Sequence, residues 1–187
     1  KYGISTSLSN MGLVYTLQSH YKQALEYHQN ALEIEEAIGN KSGAASSFGN
    51  IGNIYHDQRD YAKALEYYQK SLSIQEEIDE KNGIASSLSN IANIYQEQRD
   101  YTKALRYYKK SFGIREAILD REGLATSSHE LCKTYAQLQN TDSALYYLSF
   151  NRNEVNTQVN INYFTLSDQE KAIYFSTLER DFSLYHN

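Results

Sequence analysis

The chain has 187 residues, 41% of them apolar, with a net charge of −5, a pI of about 5.5 and a mean hydropathy of −0.66. That balance can bury a core, but no run approaches the ~18 apolar residues of a membrane span, and the acidic charge argues against nucleic acid, whose backbone needs clustered Lys and Arg. Cys132 is the single cysteine, which excludes a disulfide framework or a cysteine zinc cluster and points to a reducing, cytoplasmic setting; no signal-peptide pattern opens the chain.

Gly3, Gly43, Gly83 and Gly123 each open the same pattern at 40-residue intervals, and residues 43–82 and 83–122 share more than half of their aligned positions. A fixed period in this range marks a solenoid, whose units bury their apolar faces only by stacking. The expected repeats are 3–42, 43–82, 83–122 and a degenerate 123–157, forming an array over about 1–160.

Each repeat reads as two helices. Phe48, Ile51, Gly52 and Tyr55 are spaced i, i+3, i+4, i+7, one face of an α-helix, and Leu88, Ile91, Ala92 and Tyr95 match them, as do Leu8, Met11, Gly12 and Tyr15. The small residue in each row admits a close neighbour. A short polar turn follows, in which Asp60 and Asp100 are expected N-caps. The second helix runs through Tyr61, Ala64, Leu65, Tyr68, Ser71 and Leu72. Polar loops are expected at 39–42, 79–82 and 120–122, with Gly43, Gly83 and Gly123 supplying a positive φ. The absence of proline suits a nearly all-helical chain.

The residues Ile51, Gly52, Tyr55, Tyr61, Ala64, Tyr68 and Ser71 resemble the motif of the tetratricopeptide repeat family, closely over 3–122. The 40-residue period is similar to the longer-helix variety in kinesin light chains and bacterial multidomain regulators, though the usual proline near the end of the second helix is missing. The resemblance implies an all-α, right-handed α-solenoid of helical hairpins that binds proteins. Leu131, Cys132, Tyr135 and Ala144 keep the pattern in the fourth repeat, whereas His129, Glu130 and Asn151 depart from it.

Residues 163–187 form a separate unit. Ser167 and Glu170 fit a capping box, and Phe175, Leu178, Phe182 and Tyr185 make an apolar stripe, as expected of a helix that caps the solenoid. The same stretch resembles the junction between tetratricopeptide arrays and a caspase-like protease domain of the CHAT type, through Leu166, Ser167, Lys171, Asp181 and Phe182. That likeness, with the inter-repeat look of Lys1 and Tyr2, implies the expectation that the chain is the regulatory region of a larger bacterial protein.

On the first helix of each repeat, a stripe opposite the core face holds Asn10, Asn50 and Asn90, with Asn53 and Asn93 one turn later, flanked by His56, Asp57, Gln96 and Glu97. The family resemblance places this stripe on the concave groove. A side-chain amide offers a donor and an acceptor, so such a ladder can pair with the backbone of an extended peptide, while the four flanking residues select side chains. The competing reading is that the asparagines stabilise the helix rows or are solvated. The groove residues are neutral to mildly acidic, which favours a neutral or basic ligand. Ser86 and Asn90 stand where chaperone-binding relatives carry the cations of a carboxylate clamp.

His129-Glu130-Leu131-Cys132 lacks the second histidine of a zinc-protease motif, and Cys132 falls on a buried small-residue position. Glu35-Glu36 and Glu76-Glu77 read as solvated, and Tyr67-Tyr68 and Tyr107-Tyr108 as packing residues. No nucleophile, base and orienting group come together. The expectation is an interaction module without cofactor, metal or catalytic residues. A sensory array of a histidine kinase or nucleotide cyclase, suggested by openings such as Gly83 to Leu88, and self-assembly through repeat ends are the alternatives.

Overall fold

The computed structural model describes residues 2–151, with side chains through residue 148. The helices are α1 (Tyr2–Leu17), α2 (Tyr21–Ala37), α3 (Lys41–Asp57), α4 (Tyr61–Glu77), α5 (Lys81–Glu97), α6 (Tyr101–Ala117), α7 (Arg121–Gln137) and α8 (Thr141–Asn151), with no strand among the described residues. The chain divides into two compact units, 1–123 and 124–187. The capping helix and protease junction expected at 163–187 lie outside the described residues.

In the first unit, α1/α2, α3/α4 and α5/α6 form hairpins, and successive hairpins join through α2 on α3 and α4 on α5. The helical rows seen in the sequence are the reason. Ala64, Tyr68, Ile91 and Ile94 form one buried cluster, with Tyr55, Leu65, Leu72 and Tyr95 against it. Ile91 and Ile94 come from α5 and the other two from α4, so this core exists only because two repeats stack. Each fully buried isoleucine contributes about 1.5–3 kcal/mol, and Ile91→Ala would cost about 2–5 kcal/mol.

The small residue of each row does what its size requires. A Cβ at Gly52 would stand 2.7 Å from the Tyr68 ring, and one at Gly12 would stand 2.7 Å from the His28 ring. Stacked tyrosines close each hairpin at the other end of the first helix. The pairs are Tyr15 with Tyr27, Tyr55 with Tyr67 and Tyr95 with Tyr107, at centroid separations of 5.2, 5.4 and 5.6 Å. Such pairs contribute about 0.5–1.5 kcal/mol beyond their burial.

Every turn between helices has the same form. Ser19, Gly39, Arg59, Asp79, Arg99, Leu119 and Gln139 have positive φ. At each, two backbone bonds close the helix end, as in Gly39 N–H to Glu36 O and Asn40 N–H to Glu35 O, the Schellman arrangement. At five of these seven turns the side chain of the next residue then caps the following helix, whereas His20 and Glu80 make no such bond. Asp60 Oδ1 accepts from Lys63 N–H at 3.2 Å and Asp100 Oδ1 from Lys103 N–H at 3.1 Å, as expected of both. Asn40, Asp120 and Asn140 cap in the same way.

The expected role of Gly43, Gly83 and Gly123 is corrected. None has positive φ; all three lie inside helices, and Lys41, Ser42, Lys81, Asn82, Arg121 and Glu122, expected in loops, are helical too. Space is what these glycines provide. A Cβ at Gly83 would meet the Gln75 side chain at 2.7 Å, and one at Gly43 would meet Asn40 at 2.2 Å and Glu35 at 2.9 Å.

Glu35 is also corrected: it is buried rather than solvated. Ser47 Oγ donates to Glu35 Oε2 at 2.7 Å, joining the first two hairpins, and Ser87 Oγ donates to Gln75 Oε1 at 2.7 Å between the next two. Desolvation raises the Glu35 pKa above the usual carboxylate value, against the Ser47 bond. Glu36, Glu76 and Glu77 are exposed.

In the second unit, α7 and α8 repeat the hairpin. Leu131, Cys132, Tyr135 and Ala144 are buried, as their pattern requires, and Tyr135 stacks on Tyr147 at 5.7 Å.

Candidate functional site

The asparagine positions fall into two groups. Asn10 is exposed and Asn50 and Asn90 are half-buried, and no hydrogen bond holds their side chains among the described residues. Asn53 and Asn93 are engaged. Tyr68 Oη donates to Asn53 Oδ1 at 2.7 Å, and Tyr108 Oη donates to Asn93 Oδ1 and lies 2.5 Å from Gln96 Oε1. Burial, with the charges of Asp57 and Glu97, pushes the Tyr68 hydroxyl pKa up, so this group stays a donor. The carbonyl oxygens of Asn53 and Asn93 are committed to the hairpin.

The flanking residues form a cluster that the sequence did not disclose. His56 Nε2 lies 2.9 Å from Glu97 Oε1, and Tyr61 Oη donates to Glu97 Oε2 at 2.7 Å. His56 Nδ1 lies 3.9 Å from Asp57 Oδ1. Glu97 of α5 thus bridges back to both helices of the preceding hairpin. In the sequence Tyr61 opens the second-helix row, and its recurrence as Tyr21 and Tyr101 gives no hint of a carboxylate partner. Asp57 and Glu97 stay exposed, so this end of the stripe is acidic. Thr6, Ser46 and Ser86, between the asparagines and the helix starts, turn their hydroxyls onto their own helices at 3.1, 3.0 and 3.0 Å.

The first hairpin departs from this plan. His28 occupies the place of Tyr68 and Tyr108, and Leu13 that of Asn53 and Asn93. His28 is fully buried and neither ring nitrogen has a hydrogen-bond partner. Desolvation lowers its pKa to about 4.

In the second unit, burial pushes the Cys132 thiol up to about 11, so it is no thiolate nucleophile. Glu130 lies 3.7 Å from Lys133. Among the described residues no three metal-ligating side chains come together, and no helix is long and apolar enough to cross a membrane.

Residues 3–77 and 83–149 match the family model described as tetratricopeptide repeat. No curated protein matches the chain. Solved structures share the fold. Aspartyl phosphate phosphatase F from Bacillus subtilis has a TM-score of 0.79 at 18% identity, over 100% of this chain and 52% of that one. The apo form of RapI has a TM-score of 0.75 at 23% identity, over 95% and 47%. BtubC (BKLC) from P. vanneervenii has a TM-score of 0.69 at 20% identity, over 78% and 60%. The chain thus spans about half to three fifths of the length of these structures. With its motif rows, its stacked hairpins and a family match over most of its length, the chain belongs to the tetratricopeptide repeat family, whose members bind protein partners.

Proposed function

We propose that the chain holds an extended segment of a partner protein along the first-helix stripe of its repeats. The observation that carries this reading is the repetition of an uncommitted amide. Asn10, Asn50 and Asn90 recur once per hairpin with no intramolecular hydrogen bond. Asparagine is a poor helix former, so three such residues in mid-helix, unused by the fold, favour a ligand. Each amide can satisfy one backbone N–H and one C=O of a peptide regardless of its side chains. The Asn53 and Asn93 amides add donors only.

The acidic end formed by Asp57 and Glu97 favours a neutral or basic segment. The C-terminal likeness to CHAT junctions makes a regulatory array in a larger bacterial protein, cytoplasmic and itself non-catalytic, the context that fits best.

The test is peptide selection from a display library followed by affinity measurement on a triple variant, Asn10→Ala, Asn50→Ala and Asn90→Ala. The fold does not use these amides, so helicity should be unchanged. Affinity for the selected peptides should fall by at least about tenfold, the equivalent of one or two lost hydrogen bonds. Unchanged affinity would remove the ladder.

A further inference from the structure

A cleft of about 470 Å³ opens between the end of α4, the start of α5 and the outer side of α6. Its apolar wall is Ile84, Leu88, Ile114 and Ile118, and its rim carries Lys81, Lys109 and Lys110 against the single acid Glu76. On α5, at about 100° per residue, the cleft residues stand roughly 150° from Asn90, so the cleft lies on the face away from the asparagine stripe.

The second repeat fills the corresponding place with other residues. There Phe48 stands where Leu88 does, Ser73 where Gly113 does, Gln69 where Lys109 does and Glu77 where Ala117 does. The Phe48 ring packs at 6.1 Å from Tyr67 with the Lys70 ammonium 5.9 Å away, and Glu77 bonds Lys41 across the gap at 2.5 Å. Five lining residues differ between the two repeats: four of the changes enlarge the space or add positive charge, and the fifth, Ile84 in place of Ala44, adds to the apolar wall. Without a carboxylate at Ala117, Lys81 turns to Asp79. Gly113 sits in mid-helix, where glycine is a poor choice, and a Cβ there would meet nothing within 4 Å. No packing demand of the fold accounts for it, whereas an open cleft does.

The charge is local and runs against the chain. α6 carries Lys103, Arg106, Lys109, Lys110 and Arg115 against Glu116 alone, in a protein of net charge −5. Arg106 replaces Glu66, the acid that bonds Lys70 in the second repeat at 2.7 Å. An apolar wall behind a cationic rim selects a ligand with both properties: a bulky apolar group to fill the cleft and acidic groups to meet the lysines.

We propose that this cleft is a second protein-docking site, which takes an acidic segment of a partner protein bearing one bulky aliphatic or aromatic anchor. It is independent of the asparagine stripe and opposite in charge preference.

The experiment pans a random peptide display library on the whole chain. The competitor in solution is a filled variant, Leu88→Phe, Lys109→Gln, Gly113→Ser and Ala117→Glu. These are the second repeat's own residues, and circular dichroism checks that the helices persist. The expected consensus combines acids with one bulky apolar residue. Such peptides should bind the intact chain at least about tenfold more tightly than the filled variant and weaken with salt. They should bind the Asn10, Asn50 and Asn90 alanine variant undiminished, which separates this site from the stripe. Should the filled variant fail to fold, Lys109→Gln with Lys110→Gln replaces it, with the same direction of effect expected. A neutral or basic consensus, no enrichment over competitor, or equal affinity for the substituted cleft would overturn the proposal.

Discussion

Tyr68 and Asn53 lock the second hairpin from the inside: the Tyr68 hydroxyl reaches across from α4 and donates to Asn53 Oδ1 on α3 at 2.7 Å. Tyr108 and Asn93 repeat the bond between α6 and α5. Removing the hydroxyl with Tyr68→Phe should destabilise the array by about 1 kcal/mol. Asn53→Ala should cost a similar amount, and the two together little more than either alone, a coupling of about 0.5–1 kcal/mol in a double-mutant cycle followed by urea denaturation. Full additivity would mean that the bond contributes nothing.

The first hairpin lacks this lock, and its buried His28 makes it sensitive to acid. Burial lowers the folded pKa to about 4, from the 6.5 of an ordinary histidine. Between those values the unfolded chain binds more protons than the folded one, so stability rises with pH. The contribution of neutral His28 is complete above about pH 6.5 and is lost as pH falls toward 4, on the order of 2 kcal/mol. His28→Tyr with Leu13→Asn should install the lock of the other hairpins and flatten this pH dependence. Thermal melts from pH 7 to 4.5 on both proteins would show it.

Glu35 and Gln75 occupy the same place, and each accepts a serine hydroxyl from the next hairpin at 2.7 Å. The carboxylate carries a desolvation penalty that the amide does not. Glu35→Gln should therefore leave the array equally stable or up to about 1 kcal/mol more stable at neutral pH, whereas Ser47→Ala should weaken the junction by about 1 kcal/mol. A destabilising Glu35→Gln would show that the negative charge itself is needed.

Six of the seven helix ends place a residue other than glycine in the left-handed region. Leu119 is the clearest case, with φ of 58° and 82% exposure, so its side chain gains little from packing. Leu119→Gly should raise the denaturation midpoint, corresponding to about 1 kcal/mol. Gly39→Ala should lower it by a similar amount.

The stacking was legible because burial copies itself from repeat to repeat. Ile51 and Ile91 occupy the same place in the pattern and are both almost completely buried, and Asp60 and Asp100 announced their caps. The turns were misread for a physical reason: the Schellman end is held by backbone bonds and tolerates Arg59, Asp79 or Leu119, so glycine need not mark it. Gly43 and Gly83 drew attention to the wrong property, since what they provide is room for Glu35 and Gln75. Glu35 was hidden because a single glutamate beside another on a helix looks solvated. Its exchange with Gln75, always with a serine twelve residues on, was the available signal. The lock was written in the same way: tyrosine goes with asparagine in two repeats, and histidine with leucine in the first.

The uniform turn has a consequence for how such a chain changes over generations. Because each turn between the described helices is completed by backbone bonds of its own, a hairpin carries its punctuation with it. A 40-residue block can be copied or excised, and the seam is already made. Novelty then resides in which copy differs, as Gly113 and Ala117 differ from Ser73 and Glu77 in the repeat before. A receptor built this way acquires a new specificity by editing one unit while the others keep their grip.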